Sequence, residues 1–83
     1  MYFFTLIIWE VNYVLAEKIR ILLVKRKNIP EAELARRLGV SPQNLNLKMK
    51  RDNFSERELR EIADALDCTL NISFTLNDTK EVI

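Results

Sequence analysis

Apolar residues recur at intervals of three and four through most of residues 13–67, which is the spacing of one helix face. The interval predicts four helices separated by short polar breaks. The first runs from about Tyr13 to Lys27, the second from about Glu31 to Leu38 and the third over about 42–50. The fourth follows Ser55. The apolar residues that define these helices are Leu15, Ile19, Leu22, Leu23, Leu34, Ala35, Leu38, Leu45, Leu59, Ile62, Ala63 and Leu66.

The residues between the second and third helices are those that end one helix and begin the next. Gly39 can adopt the left-handed conformation of a helix C-cap. Ser41 is a preferred N-cap, and Pro42 suits the first helical position. Pro30 is predicted in the first turn of the second helix. A turn of about three residues therefore joins the two helices.

The fourth helix has the clearest start signal in the chain. Ser55 and Glu58 have the spacing of a capping box, and Phe54 and Leu59 that of a hydrophobic staple. These two devices predict that the helix begins directly after Ser55.

The first nine residues break the helical pattern with an unbroken apolar run from Tyr2 to Trp9. The run is too short to span a bilayer, which takes about 20 residues, and it has no basic start of a secretory signal. Its aromatic and β-branched residues favour a strand. An alternative is that translation begins at Val14 or Leu15 and that residues 1–13 are not native coding sequence. We expect a cytoplasmic protein that does not enter membranes.

The C-terminal segment alternates apolar and polar residues with a period of two, which predicts a strand from Thr69 to Leu76. A turn at residues 77–79 predicts a hairpin. A three-residue loop places Val82 opposite Phe74, whereas a two-residue loop places Glu81 there; we favour three. An isolated hairpin is marginal in water, so a further strand is needed, from residues 2–9 or from a second subunit.

The net charge of +1 conceals a strong asymmetry along the chain. Residues 1–51 carry ten basic and four acidic side chains, and residues 52–83 carry three and eight. A basic first part can present one positive face to a polyanion such as nucleic acid. The alternative interpretation is that these residues are solvated helix faces.

The composition also excludes most catalytic and metal sites. The chain has no histidine and one cysteine, so it lacks an imidazole base, a thiol pair and a zinc ligand set. We expect no enzyme activity, no catalytic residue, no metal and no cofactor. Cys68 is interpreted as a small buried apolar residue.

The stretch from Glu33 to Leu45 (Glu-Leu-Ala-Arg-Arg-Leu-Gly-Val-Ser-Pro-Gln-Asn-Leu) resembles the helix-turn-helix of Cro and lambda-repressor-like (XRE-type) DNA-binding regulators. The likeness covers about residues 15–67. The sequence departs from the family at Pro30, where a capping Ser or Thr is frequent, and at Glu31, where a neutral residue usually faces a phosphate. The family's usual fifth helix is replaced by the alternating segment. The positions that carry the resemblance are Leu34, Ala35, Gly39, Val40, Ser41, Leu45 and the ending Ala65-Leu66-Asp67.

The third helix can be divided into a buried and an exposed side. With Leu45 at zero on a helix that turns about 100° per residue, Met49 lies at about 40° and Ser41 at about −40°. These residues mark the buried side. The opposite side carries Gln43, Leu47 and Lys50, at about 160°, 200° and 140°, with Asn44 and Asn46 on its shoulders.

Amides beside an aliphatic side chain are suited to a DNA major groove. Glutamine and asparagine can each form two hydrogen bonds with adenine, and an aliphatic group contacts the thymine methyl. The base-reading residues are predicted to be Gln43 and Leu47, flanked by Asn44 and Asn46. The phosphate contacts are predicted to be Ser41, Lys48, Lys50 and Arg51, with Arg36 and Arg37 as further candidates, one of which can instead pair with Glu33 or Asp64.

The sequence therefore predicts one mainly α-helical domain over residues 1–83. It comprises an apolar N-terminal segment (1–13), a lambda-repressor-like bundle of four helices (14–67) and a C-terminal β-hairpin or strand (68–83). The predicted function is sequence-specific DNA binding by a transcriptional repressor, as a homodimer joined through the C-terminal strand. The alternatives are an antitoxin-type regulator and a protein–protein interaction module that uses the terminal strands.

Overall fold

The computed structural model describes residues 14–83 and contains four helices. They are α1 (Val14–Lys25), α2 (Glu31–Leu38), α3 (Pro42–Arg51) and α4 (Glu56–Ala65). The four predicted helices are confirmed. The first ends two residues earlier than predicted, because Lys27 has a left-handed backbone with φ of 68°. The prediction of a strand at residues 2–9 lies outside the described residues.

The predicted turn between α2 and α3 is confirmed in detail. Gly39 has φ of 74°, and its N–H donates to the last carbonyls of α2. The Ser41 Oγ accepts a hydrogen bond from the Asn44 N–H at 3.1 Å, which caps α3. Pro30 is the N-cap residue of α2 and not part of its first turn, and no side chain caps this helix start.

The capping box of α4 is also present. The Ser55 Oγ accepts from the Glu58 N–H at 3.1 Å, and the Glu58 carboxylate accepts from the Ser55 N–H at 2.8 Å. Phe54 and Leu59 are both half-buried against the core. The start of α4 is therefore determined by four residues that are close in sequence.

The core is formed by apolar residues from all four helices. Helix α2 lies at its centre and packs against both α3 and α4. The two residues that bury α3 in the core are Leu45 and Met49, as the angular spacing predicted. Their packing fixes the position of α3 and leaves its opposite side facing away from the core. The buried cluster comprises Ala16, Ile19, Leu23, Leu34, Ala35, Leu45, Met49, Ile62 and Leu66.

Two charged side chains hold α1 at its ends, and neither was found by sequence reasoning. The Asp52 carboxylate, at the C-cap of α3, accepts from the Ala16 N–H at 2.7 Å. The Arg26 guanidinium donates to the carbonyls of Leu66 and Asp67, both at 2.8 Å. Each pair is about 40 residues apart along the chain, so no local motif signals it.

Replacing Asp52 by alanine is expected to lower the free energy of unfolding by about 1–2 kcal/mol. The substitution removes the carboxylate that caps α1. It also places an alanine in a left-handed backbone, at φ of 52°, which alanine adopts less readily than aspartate or asparagine. Asp52→Asn is the matched control, because asparagine tolerates this backbone and retains an acceptor oxygen. Urea unfolding measures both variants. An Asp52→Ala protein as stable as the parent would show that the cap does not stabilise α1.

The C-terminal segment differs from the prediction. Among residues 14–83 the structure contains no regular strand, only one antiparallel bridge between Thr75 and Val82. The prediction of a regular strand from Thr69 to Leu76 is therefore wrong. Phe74 and Ile83 exchange two hydrogen bonds, at 3.0 and 2.8 Å, so a short hairpin is present.

The predicted hairpin register is wrong by one residue. Ile83, not Val82, lies opposite Phe74, because the loop has four residues rather than three. The additional loop residue is Lys80, which has a left-handed backbone with φ of 65°. Its N–H donates to the Leu76 carbonyl at 2.8 Å and closes the turn.

Candidate nucleic-acid interface

The outer side of α3 is open to solvent, as predicted. Leu45 and Met49 point into the core, and the residues on the opposite side are exposed. Leu47 is 46% exposed, whereas Leu45 and Met49 on the other side of the same helix are only 3% and 1% exposed. The exposed residues of this face are Gln43, Asn44, Asn46, Leu47 and Lys50.

Ser41 lies at the N-terminal end of the same face. Its Oγ accepts the capping hydrogen bond from Asn44, and the side chain remains exposed. The hydroxyl hydrogen can still be donated to an acceptor outside the protein. Ser41 therefore caps α3 and also retains the donor that a phosphate contact requires.

The six predicted phosphate contacts differ in what surrounds them. Lys50 and Arg51 are exposed, and neither forms a salt bridge within the part of the chain that the structure describes. Lys48 instead pairs with Glu58 of α4, with Nζ 2.5 Å from Oε2. This hydrogen bond from Lys48 is the largest cause of the lowered pKa of the Glu58 carboxyl.

Arg36 and Arg37 are both bound to Glu33, as the sequence allowed for one of them. The Arg36 guanidinium donates two hydrogen bonds to the Glu33 carboxylate, and Arg37 donates a third at 3.0 Å. The hydrogen bond from Arg36, followed by that from Arg37, lowers the pKa of Glu33 to about 2. Arg37 also donates to the Ala65 carbonyl at 3.0 Å and links α2 to the end of α4. These two arginines are held by internal partners.

The sequence also matches a known protein family whose function agrees with this geometry. Residues 18–71 match the model of the Cro/C1-type HTH DNA-binding domain, which covers more than half of the chain. The chain belongs to the Cro/C1-type helix-turn-helix family. No curated protein and no solved structure shows significant similarity to it. The family is one of DNA-binding domains, so the partner that the match implies is DNA.

In this Cro/C1-type domain, the unusual acidic residue at the start of α2 has a basic neighbour. The Arg20 guanidinium of α1 lies 3.6 Å from the Glu31 carboxylate. Both side chains are partly exposed, so the pair stabilises the fold only weakly. The pair does reduce the local negative charge at a position where the family usually places a neutral residue.

An apolar groove beside the exposed face of α3 was not found by sequence reasoning. It lies between α3 and α4, and Leu47 forms part of its wall together with Val40 and Phe54. Val40 is 42% exposed. Glu58 and Glu61 lie on the α4 side, but Gln43 is outside the groove. The sequence did contain one indication of this groove. Val40 and Leu47 are apolar, although the helical pattern does not place either of them in the core.

Three further features of the described part of the Cro/C1-type domain concern metal ligands, Cys68 and membrane spans. In residues 14–83, no group of three or more His, Cys, Asp or Glu side chains is placed to hold a metal ion. Cys68 is half-buried against the core, and its Sγ donates to the Leu66 carbonyl at 3.3 Å. No helix among those residues has the length and apolar character needed to cross a bilayer.

Proposed function

We propose that this protein is a sequence-specific, non-enzymatic transcriptional repressor that inserts α3 into the major groove of DNA and acts as a homodimer. The observation that carries the proposal is the exposed row on α3, where amide and aliphatic side chains stand beside cations that form no salt bridge within residues 14–83. A bound dimer that covers promoter DNA represses transcription without a cofactor. The proposed base-reading residues are Gln43, Asn44, Asn46 and Leu47.

The electrostatic part of the interface is assigned to the cations that have no internal salt bridge in the described residues. Lys50 and Arg51 follow the base-reading row at the C-terminal end of α3. Because phosphate contacts release counterions, such residues supply affinity that falls steeply with salt. Lys48, Arg36 and Arg37 remain candidates, but each must leave or share a carboxylate before it binds a phosphate.

The test is a competition titration of the full chain with a selected site and with random duplex DNA, at two salt concentrations. The site is first obtained by selection from a random DNA pool. A sequence-specific regulator is expected to prefer the selected site by about 10³-fold or more and to lose affinity steeply with salt. Equal binding of both DNAs, or no binding, would overturn the proposal.

A second candidate function is interaction with another protein, as in an antitoxin-type regulator. It is favoured by the large apolar side chains exposed in the C-terminal hairpin, of which Phe74 is 74% and Ile83 71% exposed. Surfaces of this kind frequently mark protein-binding sites. A protein with this function alone would show neither a selected DNA site nor a steep salt dependence.

Replacing Lys50 by alanine is expected to weaken binding to all DNA sequences alike and to reduce the slope of log K against log salt by about 0.9. The reason is the loss of one phosphate contact that reads no base. Lys25→Ala is the matched control, because it removes one exposed lysine at the far end of α1. Fluorescence anisotropy at several salt concentrations measures both slopes. Equal slopes for the two variants would contradict the assignment of Lys50.

A further inference from the structure

Lys48 of α3 and Glu58 of α4 form a salt bridge between the two helices that line the apolar groove. The Lys48 Nζ lies 2.5 Å from the Glu58 Oε2, while the Glu58 Oε1 accepts a hydrogen bond from the Ser55 N–H at 2.8 Å. The capping box therefore fixes the carboxylate with its second oxygen toward α3. An exposed ion pair usually orders two long side chains, but here the glutamate is already held, so only the lysine loses freedom.

The angular position of Lys48 also separates it from the proposed base-reading residues. With Leu45 at zero, Lys48 lies at about −60°, on the shoulder of α3 nearest the buried side. It is about 100° from Leu47 and about 140° from Gln43. Lys50 is within about 60° of both. Lys50 therefore extends with the base-reading row, whereas Lys48 extends toward α4 and its carboxylate.

We propose that Glu58 holds Lys48 away from the DNA backbone and so limits how many phosphates the interface neutralises. This inference rests on the proposed function and deepens it, because it separates Lys48 from Lys50 among the candidate phosphate contacts. The Glu58 carboxylate is ionised at neutral pH, since the hydrogen bond from Lys48 lowers the pKa of Glu58. A Lys48 side chain that moved to a phosphate would leave this carboxylate without its cation, beside a negatively charged strand.

The restraint on Lys48 acts on affinity and not on base selection. Phosphate contacts position a protein on DNA but carry no sequence information. A cation that is withheld from the backbone therefore lowers binding to the selected site and to random DNA by the same factor. It also lowers the number of counterions released, which the salt dependence of binding measures directly.

Glu58→Gln tests the restraint in the full chain. Glutamine keeps an acceptor for the Ser55 N–H, so α4 retains its capping box, but the charge that pairs with Lys48 is removed. Binding to random duplex DNA is expected to tighten, and the slope of log K against log salt is expected to steepen by about 0.9. The gain in affinity is then about 3.5-fold larger at about 50 mM than at about 200 mM salt. The preference for the selected site is expected to stay unchanged.

A double variant separates the release of Lys48 from the general loss of a negative charge. Lys48→Ala alone is expected to leave the slope of the parent unchanged, whereas Lys50→Ala reduces it. In the Glu58→Gln background, Lys48→Ala is expected to return the slope to the parent value. Glu61→Gln is the matched control, because it removes a carboxylate of the same helix and groove that lies 3.7 Å from Arg57 rather than beside Lys48. Its slope is expected to equal that of the parent.

Fluorescence anisotropy with random duplex DNA measures all slopes, and urea unfolding checks that each variant is folded. An unchanged slope for Glu58→Gln, or an equal steepening for Glu61→Gln, would overturn the proposal. So would a slope reduced by about 0.9 for Lys48→Ala alone, a result that decides even if Glu58→Gln does not fold. A changed preference for the selected site would show instead that Glu58 positions α3.

The failure of this inference is distinguishable from that of the proposed function. A parent protein that binds no DNA would overturn both. A parent protein that binds DNA, with any of the contradicting slopes, would overturn only the restraint of Lys48 by Glu58. Because random DNA is the probe, the slopes can be measured whether or not a selected site exists.

Discussion

Replacing Leu34 by alanine is expected to lower the free energy of unfolding by about 2–5 kcal/mol. Leu34 is completely buried on α2, the helix that contacts both α3 and α4. The shorter side chain loses its transfer free energy and leaves a cavity that three helices must close. A domain of this size is stabilised by about 4–12 kcal/mol in total, so the substitution removes a large share of it.

Urea unfolding followed by circular dichroism measures this effect. The matched control is Val24→Ala, which removes an aliphatic group that is 62% exposed on α1. The control is expected to stay within about 0.5 kcal/mol of the parent. A loss for Leu34→Ala of the same small size would mean that α2 does not hold the bundle together.

Replacing Gln43 by alanine is expected to cost about 1–3 kcal/mol of binding free energy on the selected site, or roughly 5- to 150-fold in affinity. The truncated side chain loses the paired hydrogen bonds that an amide makes to one base. Discrimination at one position of the site is therefore expected to relax. The stability of the fold is expected to remain unchanged, because Gln43 is exposed and takes part in no side-chain hydrogen bond in the described residues.

Titration of each single-base variant of the site measures the loss of discrimination. Asn77→Ala, which removes an exposed amide in the C-terminal turn, is the control and is expected to leave binding unchanged. Lys50→Ala distinguishes the two kinds of contact, since it is expected to weaken every site equally. An unaltered affinity of Gln43→Ala for the selected site would remove Gln43 from the base-reading set.

The helix-turn-helix was predictable because its signals are local. Gly39, Ser41 and Pro42 act through backbone conformation and hydrogen bonds that span three or four residues. The capping box of Ser55 and Glu58 acts over the same distance. The exposed side of α3 followed from the helical period alone, once Leu45 and Met49 were taken as buried. Neither inference required knowledge of the other helices.

The C-terminal hairpin shows where a local pattern is insufficient. Alternation identified which residues share a face, but the pairing of Phe74 depended on the backbone of a single loop residue, Lys80. Nothing in the residue type of a lysine signals a left-handed conformation. Among residues 14–83 a regular strand is also not formed, and the two arms of a hairpin by themselves gain little from pairing.

The amino-acid sequence by itself determined the four helices, the caps at Gly39, Ser41 and Ser55, and the face of α3 that points outward, because each depends on residues within one or two turns of each other. The tertiary structure alone decided which cations remain available and what holds α1 in place. Lys48 meets Glu58, Arg26 meets the end of α4, and Asp52 meets the start of α1. These contacts join distant parts of the chain, and they form only after the apolar core has brought the helices together.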